Sequence, residues 1–161
     1  MSELNDLLLG EFPRTVDERF RLSIPPELLS GLGADGTDCI LTKERPGCLS
    51  LWNAAAWQTK FDIGLKVIRA KIEAGRLDDK IAQVQRLGRL MSTRQRTVQL
   101  AGRGRLLIPE GFREFLEVEP SGDVMIVGAA VCIEIWKPSR WLTYLQRSVP
   151  RFRKLFDRLS Q

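Results

Sequence analysis

The chain has 161 residues, of which 43% are hydrophobic and 28% are charged, and its formal net charge is +5. This composition is typical of a globular protein, and the mild positive charge favours anionic partners without identifying one. Histidine is absent, which excludes Ser-His-Asp and Cys-His catalysis and histidine-ligated zinc. We therefore expect no metal ion and no cofactor.

The sequence contains two copies of one unit, and each copy begins with a short strand of alternating polar and apolar residues that leads to a proline. In the first copy one face carries Arg19, Arg21 and Ser23 and the other carries Phe20, Leu22 and Ile24. In the second copy Arg103 and Arg105 lie opposite Leu106 and Ile108. Period-two alternation of this kind predicts half-buried strands with their arginines exposed, and the proline then opens a short helix.

The duplication has a fixed offset of 84 residues, which relates Arg21 to Arg105 and carries the sequence Arg-x-Arg-Leu-x-Ile-Pro into both copies. The same offset relates Cys48 to Cys132, Trp52 to Trp136, and Trp57 to Trp141. A gap-free match over about 45 residues indicates one duplicated unit, and two units are too few for a solenoid. We expect them to pack together about a pseudo-two-fold axis.

The domain organisation follows from this repeat. Residues 10–57 form the first repeat, 58–93 a helical connector, 94–141 the second repeat, and 142–161 a basic C-terminal helix. Within the repeats, apolar runs predict paired strands at 39–42 and 48–52, and again at 124–127 and 131–136. The tryptophans that end these strands are expected to be core anchors.

Helical periodicity fills the connector and the C-terminal segment. Apolar residues at helical spacing predict one helix that ends near Gly75 and a second that follows it; they are Trp57, Phe61, Leu65, Ile68, Ile72, Ile81, Val84, Leu87 and Met91. A third helix is predicted over 139–160, and Pro150 is expected to kink or split it. The last part is basic and amphipathic, and we favour docking on the protein's own core over a membrane surface.

Three cysteines, Cys39, Cys48 and Cys132, each lie in an apolar run and form no Cys-x-x-Cys pair. This pattern is typical of buried, reduced thiols in an intracellular protein. No apolar run approaches the roughly 20 residues that span a bilayer, and the first ten residues lack the basic start of a signal peptide. We expect a cytoplasmic protein with no membrane span.

Positive charge is concentrated between residues 86 and 105, where six arginines occur without any acidic residue: Arg86, Arg89, Arg94, Arg96, Arg103 and Arg105. The planar guanidinium suits phosphate oxygens and guanine edges. The run therefore favours nucleic acid as the partner, although a solvated charged face or salt bridges between subunits are alternatives.

These features together resemble the MraZ family. Its mark is a doubled Asp-x-x-Gly-Arg-h-x-h-Pro element, where h is apolar, and here the resemblance covers residues 10–141. It implies an α+β fold in which two tandem AbrB-like swapped-hairpin half-motifs form one small pseudo-two-fold β-barrel, with helices between and after the repeats. It also implies assembly into a homo-oligomeric ring.

The resemblance further implies a sequence-specific DNA-binding transcriptional regulator. Its expected role is a repressor at promoter repeats of its own cell-division and cell-wall operon, in the nucleoid. Arg21 and Arg105 would anchor the DNA, and Arg19, Arg94, Arg96 and Arg103 would contact phosphates. The alternative is a ring-forming structural protein with weakened or lost DNA binding.

Both copies depart from the family's element. The first has Phe20 where the family has glycine, at a turn that suits positive φ, and the second has Ala101 where the family has aspartate. An enzyme is disfavoured because Gly102-x-Gly104 precedes a strand rather than a helix. The adjacent Asp78 and Asp79 point apart on a helix and make a poor acid–base pair. We expect neither catalysis nor a small-molecule substrate.

Overall fold

A computed structural model describes residues 7–33 and 38–161. The first repeat contains β1 (Leu8–Thr15), β2 (Arg21–Ser23), α1 (Pro26–Leu32), β3 (Asp38–Arg45) and β4 (Cys48–Asn53). The connector contains α2 (Ala54–Glu73) and α3 (Ile81–Arg94), with a short 3-10 turn at Asp78–Lys80 between them. The second repeat contains β5 (Gln95–Gln99), β6 (Arg105–Leu107), α4 (Phe112–Leu116), β7 (Asp123–Ala130) and β8 (Ile133–Trp136). It is followed by α5 (Pro138–Ser148) and α6 (Phe152–Ser160).

The two repeats exchange strands. Six antiparallel strands form one sheet in the order β1-β7-β8-β4-β3-β5. At one edge β1 of the first repeat pairs with β7 of the second, and at the other edge β5 of the second repeat pairs with β3 of the first. Because each repeat supplies the outer strand of its partner's half, neither completes its half of the sheet alone.

A separate two-stranded ribbon joins the repeats a second time. Its strands β2 and β6 pair antiparallel with Leu22 opposite Leu106. These two residues are related by the 84-residue offset, so the pseudo-two-fold axis passes between them. The sequence alternation is confirmed: Leu22, Ile24, Leu106 and Ile108 are buried, whereas Arg21 and Arg105 are exposed.

The core lies between this ribbon, the short helices α1 and α4, and one face of the sheet. Fully buried side chains here include Leu28, Leu41, Leu51, Leu116 and Ile135. Burying a side chain of this size stabilises the fold by about 1.5–3 kcal/mol, and the cluster draws on both repeats in equal measure. The cysteines are buried thiols, as the sequence predicts.

The α+β class is confirmed, whereas the expected closed barrel is not found in the described residues. The six-stranded sheet ends at β1 and β5, which lie at opposite edges, and β2 and β6 form a separate two-stranded sheet. The strands β1 and β5 were not predicted from the sequence. Pro13 interrupts the apolar pattern of β1, which tolerates it because a proline without an N–H fits an edge strand.

The C-terminal segment divides at Pro150, as predicted, because a 3-10 turn at Val149–Arg151 separates α5 from α6. The expectation that this segment docks on the protein's own core is wrong for α6, all of whose residues are exposed. The tryptophans are also less buried than expected, since only Trp136 is buried and Trp52, Trp57 and Trp141 keep an exposed part. Within the described ranges, no helix has the length and hydropathy needed to cross a bilayer.

Candidate nucleic-acid interface

The exposed face of the ribbon carries the two arginines that the sequence singled out. In its register Arg21 faces Leu107 and Ser23 faces Arg105, so the two arginines are diagonal neighbours, roughly 7–8 Å apart by strand geometry. Arg19 precedes β2 at one end and Arg103 precedes β6 at the other, and both are exposed. Because the strands are antiparallel, the four residues follow one another along the ribbon in the order Arg19, Arg21, Arg105 and Arg103, which we call the arginine row. The DNA major groove admits a two-stranded ribbon.

The turn before β2 is organised by the carboxylate of Asp17. Its Oδ1 accepts hydrogen bonds from the backbone N–H of Arg19 at 2.8 Å and of Arg21 at 2.9 Å, and its Oδ2 accepts one from Nε of Arg21 at 2.7 Å. Hydrogen bonding, first from the Arg21 backbone, lowers the pKa of Asp17 below its usual value. The carboxylate therefore fixes both the turn and the direction of the Arg21 guanidinium.

The turn before β6 closes with backbone bonds alone. The N–H of Ala101 donates to the carbonyl of Arg105 at 2.9 Å, and the N–H of Gly104 donates to the carbonyl of Ala101 at 3.0 Å. Ala101 offers no carboxylate, and among the described residues the Arg105 side chain makes no ion pair. Of the two central arginines, Arg105 therefore leaves all its donors available to a ligand.

Phe20 has the left-handed backbone that the sequence predicts for its position, with φ of 61° against 74° for the equivalent Gly104. Its ring lies over the guanidinium of Arg113, with Cζ 4.3 Å from the ring centroid. At the equivalent place in the other half, Leu29 covers Gly104, so closely that a Cβ built there would lie 2.5 Å from the leucine Cδ2. The contact between Phe20 and Arg113 in one half is therefore the counterpart of the contact between Gly104 and Leu29 in the other.

The other two predicted arginines lie elsewhere. Arg94 ends α3 and its Nη2 is 3.7 Å from Oε2 of Glu44. Arg96 lies on β5 opposite Leu41, with its guanidinium 5.7 Å from the ring centroid of Phe112. The structure therefore brings together Arg19, Arg21, Arg103 and Arg105, while it places Arg94 and Arg96 at the β3–β5 edge of the sheet.

The chemistry of this surface is that of an anion-binding ribbon. Guanidinium groups in a row present fixed donors to phosphate oxygens or guanine edges. In the described part of the chain, no group of three or more His, Cys, Asp or Glu side chains is placed to hold a metal ion. The contact of Arg113 with Phe20 was not predicted from the sequence. The one signal for it is that Arg113 stands where the first repeat has Leu29.

The fold and the ribbon define a class of tandem-repeat α+β proteins with a cationic face on the pseudo-two-fold axis. A family model described as "MraZ protein, putative antitoxin-like" matches residues 91–161. The Transcriptional regulator MraZ of Acetivibrio thermocellus is 30% identical over 138 residues, which are 86% of this chain and 86% of the relative. The protein of the same name from Heliobacterium modesticaldum is 27% identical over 153 residues, covering 95% and 96% of the two chains.

The chain therefore belongs to the MraZ family. A solution structure from pyrococcus horikoshii overlaps 80% of this chain and 88% of its own, at 14% identity and a TM-score of 0.33. That overlap is too loose to bear on the fold.

Proposed function

We propose that this protein is a DNA-binding transcriptional regulator that contacts DNA through the row of Arg19, Arg21, Arg105 and Arg103. The observation that carries the proposal is the exposed ribbon face, on which Arg21 is oriented by Asp17 and Arg105 keeps its donors available. The relatives' name, transcriptional regulator, is consistent with this use. We assign base or phosphate contacts to Arg21 and Arg105, and phosphate contacts to Arg19 and Arg103.

Arg94 and Arg96 take a secondary role in this proposal. Their contacts with Glu44 and with the ring of Phe112 hold them at the edge of the sheet, away from the ribbon. They would contact phosphates only where DNA extends beyond the ribbon, so their loss should weaken binding less than loss of Arg105.

The proposed target is the promoter of the protein's own operon of cell-division and cell-wall genes, where the protein acts as a repressor in the nucleoid. The family resemblance supplies this target. The two strand-exchanged repeats resemble a swapped-hairpin arrangement of the AbrB-like kind, which would present one ribbon for each chain. Several chains in a ring would engage several short DNA repeats, and linked weak sites gain avidity.

Assembly into a ring is proposed from the helices. Apolar side chains remain exposed along α2, α3, α5 and α6, including Ile63, Leu90, Leu142, Phe156 and Leu159. An apolar surface of this extent on a single chain marks an interaction site. Native mass spectrometry should show the wild-type chain as a discrete oligomer. Phe156→Glu should shift the chain to smaller assemblies, because it places a charge on the exposed apolar surface. A monomeric wild-type chain would contradict the ring.

The test of DNA binding is a mobility-shift titration with the DNA upstream of the gene. Arg105→Ala should weaken binding by roughly tenfold to a hundredfold, as expected for loss of one guanidinium contact. Arg69→Ala is the matched control, because Arg69 lies exposed on α2 and forms an ion pair with Glu73 on the same helix, at 3.2 Å. Equal affinity of a folded Arg105→Ala variant and the wild type would contradict the assignment.

The second candidate is a ring-forming structural protein without DNA binding, favoured by Phe20 and Ala101 at positions where the family has glycine and aspartate. Fluorescence anisotropy with the upstream DNA at low salt separates the two candidates. Saturable binding supports the regulator, whereas its absence supports the structural protein.

A further inference from the structure

The 84-residue offset relates two regions of the structure, one around Trp136 and Trp141 and the other around Trp52 and Trp57. We call the first the closed half, because other side chains cover its tryptophans, and the second the open half. In the closed half the β3–β4 turn is clamped by its backbone. The N–H of Gly47 donates to the carbonyl of Phe115 at 2.8 Å, and the carbonyl of Gly47 accepts from the N–H of Lys137 at 2.8 Å. This clamp seals the junction between α4, the turn and the start of α5.

An aromatic cluster fills the closed half. The ring of Tyr144 lies 5.1 Å from that of Trp136 and 5.6 Å from that of Trp141, measured between centroids. The guanidinium of Arg45 covers the same tyrosine, 5.4 Å from its centroid. The tyrosine ring and the guanidinium together occupy the space above the two tryptophans.

The open half has smaller or non-aromatic residues at the corresponding positions. An offset of 84 residues places Gly31 where Phe115 stands, Lys60 where Tyr144 stands, and Ala129 where Arg45 stands. Ala56 likewise replaces Arg140, and Val131 replaces Gly47. Val131 is 64% exposed, and its N–H bonds back to Ala129 rather than forming part of a clamp.

These differences leave a groove of about 690 Å³, bordered by Gly31, Asn53, Ala56, Lys60 and Val131. The aromatic floor is retained, because Trp52, Trp57 and Phe61 also line the groove. Trp57 and Phe61 stack with their centroids 4.4 Å apart, and both tryptophans are only half-buried. The open half therefore keeps both tryptophan positions of the closed half, with Trp57 stacked on Phe61, and has Lys60 instead of an aromatic ring at the position of Tyr144.

The charged side chains that line the groove in the described part of the chain are both cationic: they are Lys60 and Arg94. Arg94 has one long contact with Glu44, 3.7 Å between Nη2 and Oε2, and remains 43% exposed at its side chain. An aromatic platform flanked by two cations suits a flat ring with an anionic group, because rings stack on indole faces and cations pair with carboxylate or phosphate.

We propose that the open half is a binding site for a small planar aromatic anion. The ligand's ring takes the place of the Tyr144 ring of the closed half, against Trp52 and Trp57. Its carboxylate or phosphate group pairs with Lys60 and Arg94. A groove of this size holds a molecule of one or two rings, and the site is separate from the arginine row of the ribbon.

The test is isothermal titration calorimetry of the full chain with 2-naphthoate and with 2-naphthyl phosphate, which distinguish a carboxylate from a phosphate as the anionic group. The neutral 2-acetylnaphthalene controls for charge. We expect one site per chain, with the neutral compound bound roughly tenfold more weakly or worse, as loss of a charge-assisted pair requires. Equal binding of the neutral and anionic probes, or no binding of either anion, would overturn the proposal.

Variants localise the site. Lys60→Tyr combined with Ala129→Arg rebuilds the cover of the closed half and should abolish binding, while Lys71→Tyr, on the same helix but outside the groove, should leave it unchanged. Ala56→Leu is a second, smaller filler in case the double variant misfolds, which circular dichroism would reveal. Unchanged binding in a folded filler variant would place the ligand elsewhere and overturn the proposal.

The groove also adjoins Leu7, so the preceding residues 1–6, which include Glu3 and Asp6, are the competing occupant. A chain lacking residues 1–6 serves as the comparison. Probe binding by the full chain supports a ligand site. Binding that appears only after truncation would assign the groove to the protein's own N-terminal segment and overturn the proposal.

Discussion

The ring of Phe20 covers the guanidinium of Arg113, and the same position of the other half joins Gly104 to Leu29. Both turns have a positive φ at this place, but they meet its cost differently. Gly104 has no side chain to strain, whereas Phe20 gains a cation–π contact and packs against the core. The departure of the first repeat from the family's glycine is thus accommodated by a change at a position 93 residues away in the chain.

Phe20→Gly should therefore change stability only modestly. Relief of the left-handed backbone contributes about 1–2 kcal/mol, and loss of the Arg113 contact offsets about 0.5–1 kcal/mol of this, with lost ring burial offsetting more. We expect a net change within about 1 kcal/mol in urea unfolding. Destabilisation several times larger would mean that the ring, rather than the turn, dominates at this position.

Gly104→Ala is the counterpart in the second repeat and should be clearly destabilising. The φ of 74° disfavours any side chain, and the new Cβ would displace the end of the Leu29 side chain. We expect a loss of about 1–2 kcal/mol in the free energy of unfolding, since no new contact compensates. Gly102→Ala in the same turn meets open space and is the control, and equal effects of the two changes would contradict this account.

Asp17 should couple the turn of the first repeat to pH. Its pKa is lowered in the folded chain, so its stabilising contribution is present above the pKa of the unfolded chain and is lost as pH falls through the folded value. The Arg21 Nε–H resonance should shift with a midpoint below the usual aspartate value. Asp17→Asn should remove that titration, whereas Asp62→Asn on α2 should leave it intact; an unshifted midpoint in the wild type would refute the coupling.

Much of this architecture follows from the sequence because the two repeats have the same pattern at one offset. The alternation around Arg21 and Arg105 predicts which residues face outward, since period two fixes the faces of a strand. The strands β1 and β5 do not follow from it, because their pairing is with the other repeat and their sequences, with Pro13 or mostly polar residues, lack a strong pattern. Where Arg94 and Arg96 lie depends on that same pairing, so the sequence does not place them relative to the ribbon, and their contacts with phosphates stay a prediction.

Salt should distinguish the ribbon arginines from one another in DNA binding. Each guanidinium that neutralises a phosphate releases counterions, so affinity falls steeply with salt. Removal of one phosphate contact reduces the slope of log affinity against log salt by about 1. We expect that reduction for Arg103→Ala, and a smaller one for Arg96→Ala, which lies over Phe112. Identical slopes for the wild type and Arg103→Ala would remove Arg103 from the interface.

Glu134 provides a test of the buried polar centre of the sheet. It lies opposite the buried Ser50 in the β4–β8 pairing, and its Oε1 accepts a hydrogen bond from Nε1 of Trp136 at 3.0 Å. Burial raises the pKa of this carboxyl, the nearby charge of Glu44 adds to the rise, and the Trp136 hydrogen bond opposes it. Ionising a half-buried carboxylate at neutral pH costs free energy, because the fold removes part of its hydration.

The raised pKa of Glu134 determines how the free energy of unfolding changes with pH. Between the unfolded and the folded pKa the native chain binds more protons at this site, so the free energy of unfolding increases as pH falls through that window. Glu134→Gln should raise the urea midpoint at pH 7, because the amide still accepts the Trp136 hydrogen bond and carries no charge. The gain should shrink as the pH approaches about 4.3, the ordinary glutamate value, where the native carboxyl is also neutral. Destabilisation at pH 7 would show that the Glu134 carboxylate is favourably paired in the fold, and a gain independent of pH would show that ionisation of Glu134 does not cause it.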